Sequence, residues 1–146
     1  MEETTPETEG TTPEGVYEQM LKEKLNAVLD RYRTHPEFLG IEIENPNQPG
    51  AVDDTVLHIA SRTGAVEDMR VLIACGANVN ALGDLGNTPL HGAAMKGQVE
   101  AARVLLQSGA AVDIRNEFGQ TALEVAELRG HKDVVDVLKS STGQSA

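Results

Sequence analysis

The chain has 146 residues, 40% of them hydrophobic, with four aromatic side chains (Tyr17, Tyr32, Phe38 and Phe118) and no Trp. That length bounds it to one compact domain, or to a smaller core with loose ends, and leaves Ala, Leu, Val and Ile to build small, repetitive packing. A net charge of −11 argues against general affinity for nucleic acid or for an anionic membrane, because phosphate repels an acidic surface.

Residues 1–14 carry five acids and no base, with Thr, Pro and Gly between them, and read as a disordered acidic tail. They hold no basic n-region or apolar run, and no segment of the chain approaches about 18 apolar residues, so a soluble, cytoplasmic protein is expected. Cys75, the single cysteine, makes no internal disulfide, in keeping with a reducing compartment. Residues 15–35 read as a helix: apolar side chains at 17, 20, 21, 25, 28, 29 and 32 fall at helical spacing, and Pro36 stops the helix just upstream of itself. Residues 36–50 form a turn-rich link with an alternating, extended piece, GIEIE. The closing SSTGQSA, 140–146, reads as a second disordered tail.

Between these ends the chain repeats itself. TVLHIASRTG starts at Thr55, TPLHGAAMKG at Thr88 and TALEVAELRG at Thr121, in steps of 33 and 33 residues. The following halves keep register: VEDMRVLIACGANVNA, VEAARVLLQSGAAVDI and KDVVDVLK. On G-x-TPLH-x-AA in the middle copy, the glycines at 64, 97 and 130, and the closing GANVNA and GAAVDI, the chain resembles the ankyrin-repeat family over about residues 50–139. The resemblance implies an all-α solenoid of stacked helix–turn–helix units with hairpin-like loops, in units 51–83, 84–116 and 117–139, preceded by the N-terminal helix. The residue types suit that frame. Thr55, Thr88 and Thr121 stand where N-caps are needed, Pro89 at a first helical position, and the three glycines where a left-handed residue ends a short helix. Each repeat alone buries too little, and stacking makes one core.

Both ends of the stack need cover. The third copy turns toward charge where neighbours are apolar or small: Ile73, Leu106, then Lys139; Ser61, Ala94, then Glu127; His58, His91, then Glu124. That is a C-terminal cap. The helix of residues 15–35 is the candidate N-terminal cap, since its apolar face has only the open flank of repeat one to meet. Asp53 stands where the later copies have Gly86 and Gly119, so the first finger is expected to be longer or differently shaped.

Candidate chemistry dissolves into this architecture. The resemblance gives His58 and His91 the role of braces bonded to neighbouring loop backbone. Their repeat spacing, about 10 Å between packed helices, is too wide for one zinc ion with bonds of about 2 Å. Cys75 sits at a helix C-terminus, which disfavours a thiolate. GDLGN lacks a phosphate-loop lysine, and carboxylates such as Asp53–Asp54 and Glu67–Asp68 read as solvated. No nucleophile, base and orienting group come together, so no enzyme, cofactor or metal is expected.

What remains is surface. In the family, partners commonly sit on the finger tips and on the exposed side of each repeat's first helix. Carried over by position, the tips are Leu82, Asp84, Leu85 and Asn87, then Arg115, Glu117, Phe118 and Gln120. The helix positions are Arg62, Thr63, Met95, Lys96, Leu128 and Arg129, with Ala51, Val52 and Asp54 less secure in the first copy. Phe118, Leu85 and Met95 would be anchors inside a rim of Arg62, Lys96, Arg115 and Arg129, an apolar cluster edged by charge; the competing reading packs Leu85 and Phe118 against adjacent fingers. The expected function is therefore a monomeric protein-binding module with no nucleic-acid or membrane partner. The alternatives are a small inhibitor or immunity protein masking a basic enzyme or toxin, and a structural or assembly role through the N-terminal helix.

Overall fold

A computed structural model describes residues 12–141; the expected tails fall mostly outside the described residues, at 1–11 and 142–146. Seven α-helices follow in order among the described residues: α1 (Pro13–Tyr32), α2 (Val56–Thr63), α3 (Val66–Ala74), α4 (Pro89–Lys96), α5 (Val99–Gln107), α6 (Ala122–Arg129) and α7 (Lys132–Ser141). Among the described residues no strand forms. Helices α2, α4 and α6 stack as an inner row, and α1, α3, α5 and α7 as an outer one. Leu57, Leu90, Met69, Leu72, Leu105 and Leu138 are sealed between the rows, with Ala60, Ala93 and Ala126 allowing close approach.

The short inner helices exist because their first turns are bonded twice. Thr88 Oγ1 accepts the His91 N–H (3.3 Å) while His91 Nδ1 accepts the Thr88 N–H (3.1 Å). In α6, Thr121 and Glu124 exchange the same pair of bonds at 3.2 and 2.9 Å, so the charged residue of the last copy serves as capping partner. At eight residues, these helices would be marginal without such caps and without tertiary packing. The caps also orient the imidazoles. With Nδ1 occupied as an acceptor, Nε2 carries the proton, and His91 Nε2–H donates to Gln120 O at 2.8 Å. His58 Nε2–H reaches both Ala81 O (2.9 Å) and Asn87 O (3.0 Å). Each histidine thus ties a helix start to the loop of the next repeat, and burial holds both rings below their ordinary pKa.

At the N-terminal end the cover has two parts. Arg31 and Tyr32 bond Asp68 near the start of α3, whereas Leu21 lies beside Cys75 at its far end, so α1 runs antiparallel to α3. At 20 residues against nine, α1 is about 30 Å long and α3 about 13 Å. The seven apolar positions are therefore not one covered face. Leu25, Val28, Leu29 and Tyr32 pack on the core, while Val16, Tyr17 and Met20 stay exposed because α1 outruns its neighbour. Pro13 and Glu14 belong to this helix, with Thr12 as N-cap, and not to the tail; likewise α7 continues to Ser141, past residue 139.

The open flank of the inner row is closed by residues 36–48. Phe38, in a 3₁₀ turn (Pro36–Phe38), and Ile43 are fully buried, each stabilising the stack by roughly 1.5–3 kcal/mol. The link is itself part of the repeat. Asn47 N–H donates to Asn45 Oδ1, and Asn80 N–H to Asn78 Oδ1, both at 2.9 Å. Asn47 Oδ1 accepts from Asn78 N–H (2.7 Å) as Asn80 Oδ1 accepts from Ala111 N–H (2.8 Å). Residues 45–50 are therefore the loop of a truncated preceding unit.

The first finger is regular, contrary to expectation. Gly50 N–H donates to Asp54 O (2.7 Å), as Gly83 N–H does to Asn87 O (2.8 Å) and Asn116 N–H to Gln120 O (2.9 Å). Asp53 takes φ +75°, matching Gly86 at +71° and Gly119 at +75°. Aspartate is among the few non-glycine residues that enter the left-handed region readily, so replacing the glycine leaves the turn intact.

Candidate binding face

Fingers two and three hold one another through backbone. Glu117 N–H donates to Leu85 O (3.0 Å), and Ala51 N–H makes the matching bond to Glu37 O (2.9 Å). Asn116 Nδ2 adds a bond to Asn87 Oδ1 at 3.0 Å. Finger cohesion therefore does not need the apolar tips: Leu85, Leu82 and Phe118 are 45%, 60% and 66% exposed. Leu85 is also held at φ 58°, ψ 26°, a left-handed conformation that costs a leucine on the order of 1–2 kcal/mol.

Where fingers two and three meet α4 and α6, a groove of about 290 Å³ opens. Of the candidates taken from sequence, Leu85, Asn87, Met95, Phe118, Gln120, Leu128 and Arg129 line it. Leu82, Asp84, Thr63, Lys96, Arg115 and Glu117 lie outside the lining; they are exposed, with Arg115 bonded to Gly119 O (2.6 Å) and to Glu124 (3.2 Å). The Thr121 amide chiefly, with Arg115 beside it, holds the Glu124 carboxyl below the usual carboxylate range.

Two lining residues escaped the sequence reading, Asn116 and Val125. Asn116 occupies the position of Gly50 and Gly83, and Val125 that of Ile59 and Gly92. The available signal was a break in the repeat, a side chain where both other copies have glycine for Asn116 and where the neighbouring copy has glycine for Val125.

Arg62 does not line the groove. It pairs at 2.7 Å with Asp54, whose side chain is 2% exposed, and its stem lies where Gly92 lacks a side chain. Asp54 Oδ1 meanwhile accepts the Asp84 N–H at 2.9 Å. This pair fills the space between repeats one and two that corresponds to the open groove. The equivalent residues in repeat two are Asn87 and Met95, which leave it unfilled. The concave side is thus polar and closed at one half, apolar and open at the other.

Among the described residues no group of three or more His, Cys, Asp or Glu could hold a metal, and no helix is long and apolar enough to cross a membrane. Burial pushes the Cys75 thiol up, away from thiolate reactivity.

A family model described as ankyrin repeats matches the chain in three copies, over residues 32–116 and 57–145. The match begins at Tyr32, upstream of the first complete repeat, and so takes in the truncated unit. No curated protein matches the chain.

Proposed function

Because the chain belongs to the ankyrin-repeat family, whose repeats are generally protein–protein interaction modules, we propose that it is a non-enzymatic binding module whose working surface is the concave face of repeats two and three. The observation that carries this reading is the groove beside Leu85, Phe118 and Leu128, where large apolar side chains stand in solvent although the fold's own contacts are complete without them. Exposed apolar groups edged by charge are the composition of a binding site. A face built on helices locked by capping boxes loses little freedom when it binds.

The test is a double variant, Phe118→Ala with Leu85→Asp, used beside the wild type in affinity capture from native lysate. Loss of two central anchors is expected to weaken partner capture at least tenfold while the circular-dichroism melt barely moves. A matching loss of folding sinks the reading. Assembly of chains through α1 is the competing one, favoured by the exposure of Val16, Tyr17 and Met20. Sedimentation at several concentrations separates them: a monomer at all of them leaves the concave face as the working surface.

A further inference from the structure

The unpaired charges flanking the groove are sorted by sign, Arg115 on the third finger being paired with Glu124. Asp84 and Glu117 stand on the finger tips, next to the starts of α4 and α6, and Lys96 and Arg129 stand at the ends of those helices. None of the four takes part in an ion pair among the described residues. Eight residues of helix, about 12 Å, separate Lys96 and Arg129 from the helix starts that the acidic fingers lead into, and a helix with its side chains is about 10–12 Å across. The helix dipole accounts for a cation at each helix end, but it places no acids on the fingers opposite.

Much of the fingers' backbone is already bonded. The N–H groups of Gly83, Gly86, Asn87, Asn116, Glu117 and Gly119 are taken up within and between fingers, which leaves few donors in register for an extended peptide to add as a strand. The space is also small. At about 290 Å³ and open to solvent, it falls at or below the range of roughly 300–1,000 Å³ typical of small-molecule sites. It suits one large side chain. With the neighbouring groove filled by Arg62 and Asp54, only one such anchor can be taken.

We infer that the partner segment is a single amphipathic helix lying along the stack. It inserts one large apolar side chain between Leu85, Met95, Phe118, Val125 and Leu128, turns acidic residues toward Lys96 and Arg129, and turns basic residues toward Asp84 and Glu117. The spacing is set as well. Successive repeats lie about 10 Å apart, and seven residues of helix rise about 10.5 Å, so each charged row is met by residues seven apart in the partner. This rests on the binding role proposed above and adds the partner's chemistry and its orientation.

The experiment pans two random peptide libraries on the full chain, one displayed on a helical scaffold and one linear. Recovered peptides are then measured against Leu128→Asp and against Lys96→Glu/Arg129→Glu. Expected are helical sequences with one apolar anchor between an acidic and a basic flank, weakened at least tenfold by Leu128→Asp and by the charge reversal. Exchanging the peptide's acidic flank for lysines should restore binding to the charge-reversed variant. Peptides that need Leu128 but are extended, or are indifferent to the charge reversal, overturn this inference and leave the proposed binding role standing. Recovery of no peptide sensitive to Leu128→Asp or to Phe118→Ala overturns both.

Discussion

The pair that closes half of the concave face can be opened by borrowing residues from the next repeat. Arg62→Met removes the cation from Asp54, whose side chain is 2% exposed. Stranding a buried charge costs about 3–5 kcal/mol, and the low end, about 3 kcal/mol, applies because Arg62 is 28% exposed and Asp54 keeps its bond from the Asp84 amide. Asp54→Asn alone keeps a hydrogen-bonding side chain and leaves a partly solvated arginine, for a loss of about 1 kcal/mol. The double variant reproduces the Asn87 and Met95 arrangement of repeat two. It should lie within about 1 kcal/mol of wild type, because a neutral, well-packed substitute for a buried ion pair is often nearly neutral. The cycle then carries a coupling of about 3–4 kcal/mol. Urea titrations followed by far-ultraviolet circular dichroism at pH 7 measure it, with the Arg62→Met melt lowered by roughly 10 °C. If Arg62→Met lies within about 0.5 kcal/mol of wild type, the pair is not holding the face closed and the reasoning fails.

Leu85→Asn relieves a left-handed leucine (φ 58°) and should raise stability by about 0.5–1 kcal/mol in the same titration; a loss shows that the leucine side chain packs after all. Ser61 Oγ is buried without a partner among the described residues, at the position where repeat two has Ala94. Ser61→Ala is therefore expected to gain about 1 kcal/mol, and no gain in urea midpoint would count against the orphaned hydroxyl. His58 and His91 have pKa values lowered by burial. Above about pH 6.5 both are neutral in the folded and unfolded states, and their stabilising contribution is complete. As pH falls below that value the unfolded chain takes up protons first, so stability drops by up to about 1.4 kcal/mol per pH unit for each ring until its folded pKa is reached. Urea midpoints from pH 7.5 to 5.5 should decline, and a flat profile refutes the buried-brace account.

Much of the candidate face could be read by position: seven of the lining residues follow from carrying the family's contact positions onto the 33-residue register. Which of them share a groove could not. Arg62 looks like the counterpart of Met95 and Leu128, yet its task is decided by Asp54, which precedes it by eight residues and meets it only when the finger folds over the helix. Asn116 and Val125 were passed over because they replace small or ordinary core residues and carry no charge. The Asn45–Asn47 and Asn78–Asn80 turns share the repeat spacing, but Pro46 and Pro49 disguise the first as linker, and its membership appears only in the matching bonds.

The repeat, the cap residues and the charged last copy depend on local bonds and on fixed spacing, and those are properties of the sequence itself. The antiparallel course of α1, the regular first finger despite Asp53, and the closing of one groove but not the other depend on which side chains meet across repeats. Side chains far apart along the chain, such as Arg31 and Asp68, become neighbours only in the stack. A periodic sequence specifies the unit and its neighbours; the surface left open is settled by how each unit's few departures from the pattern pack together.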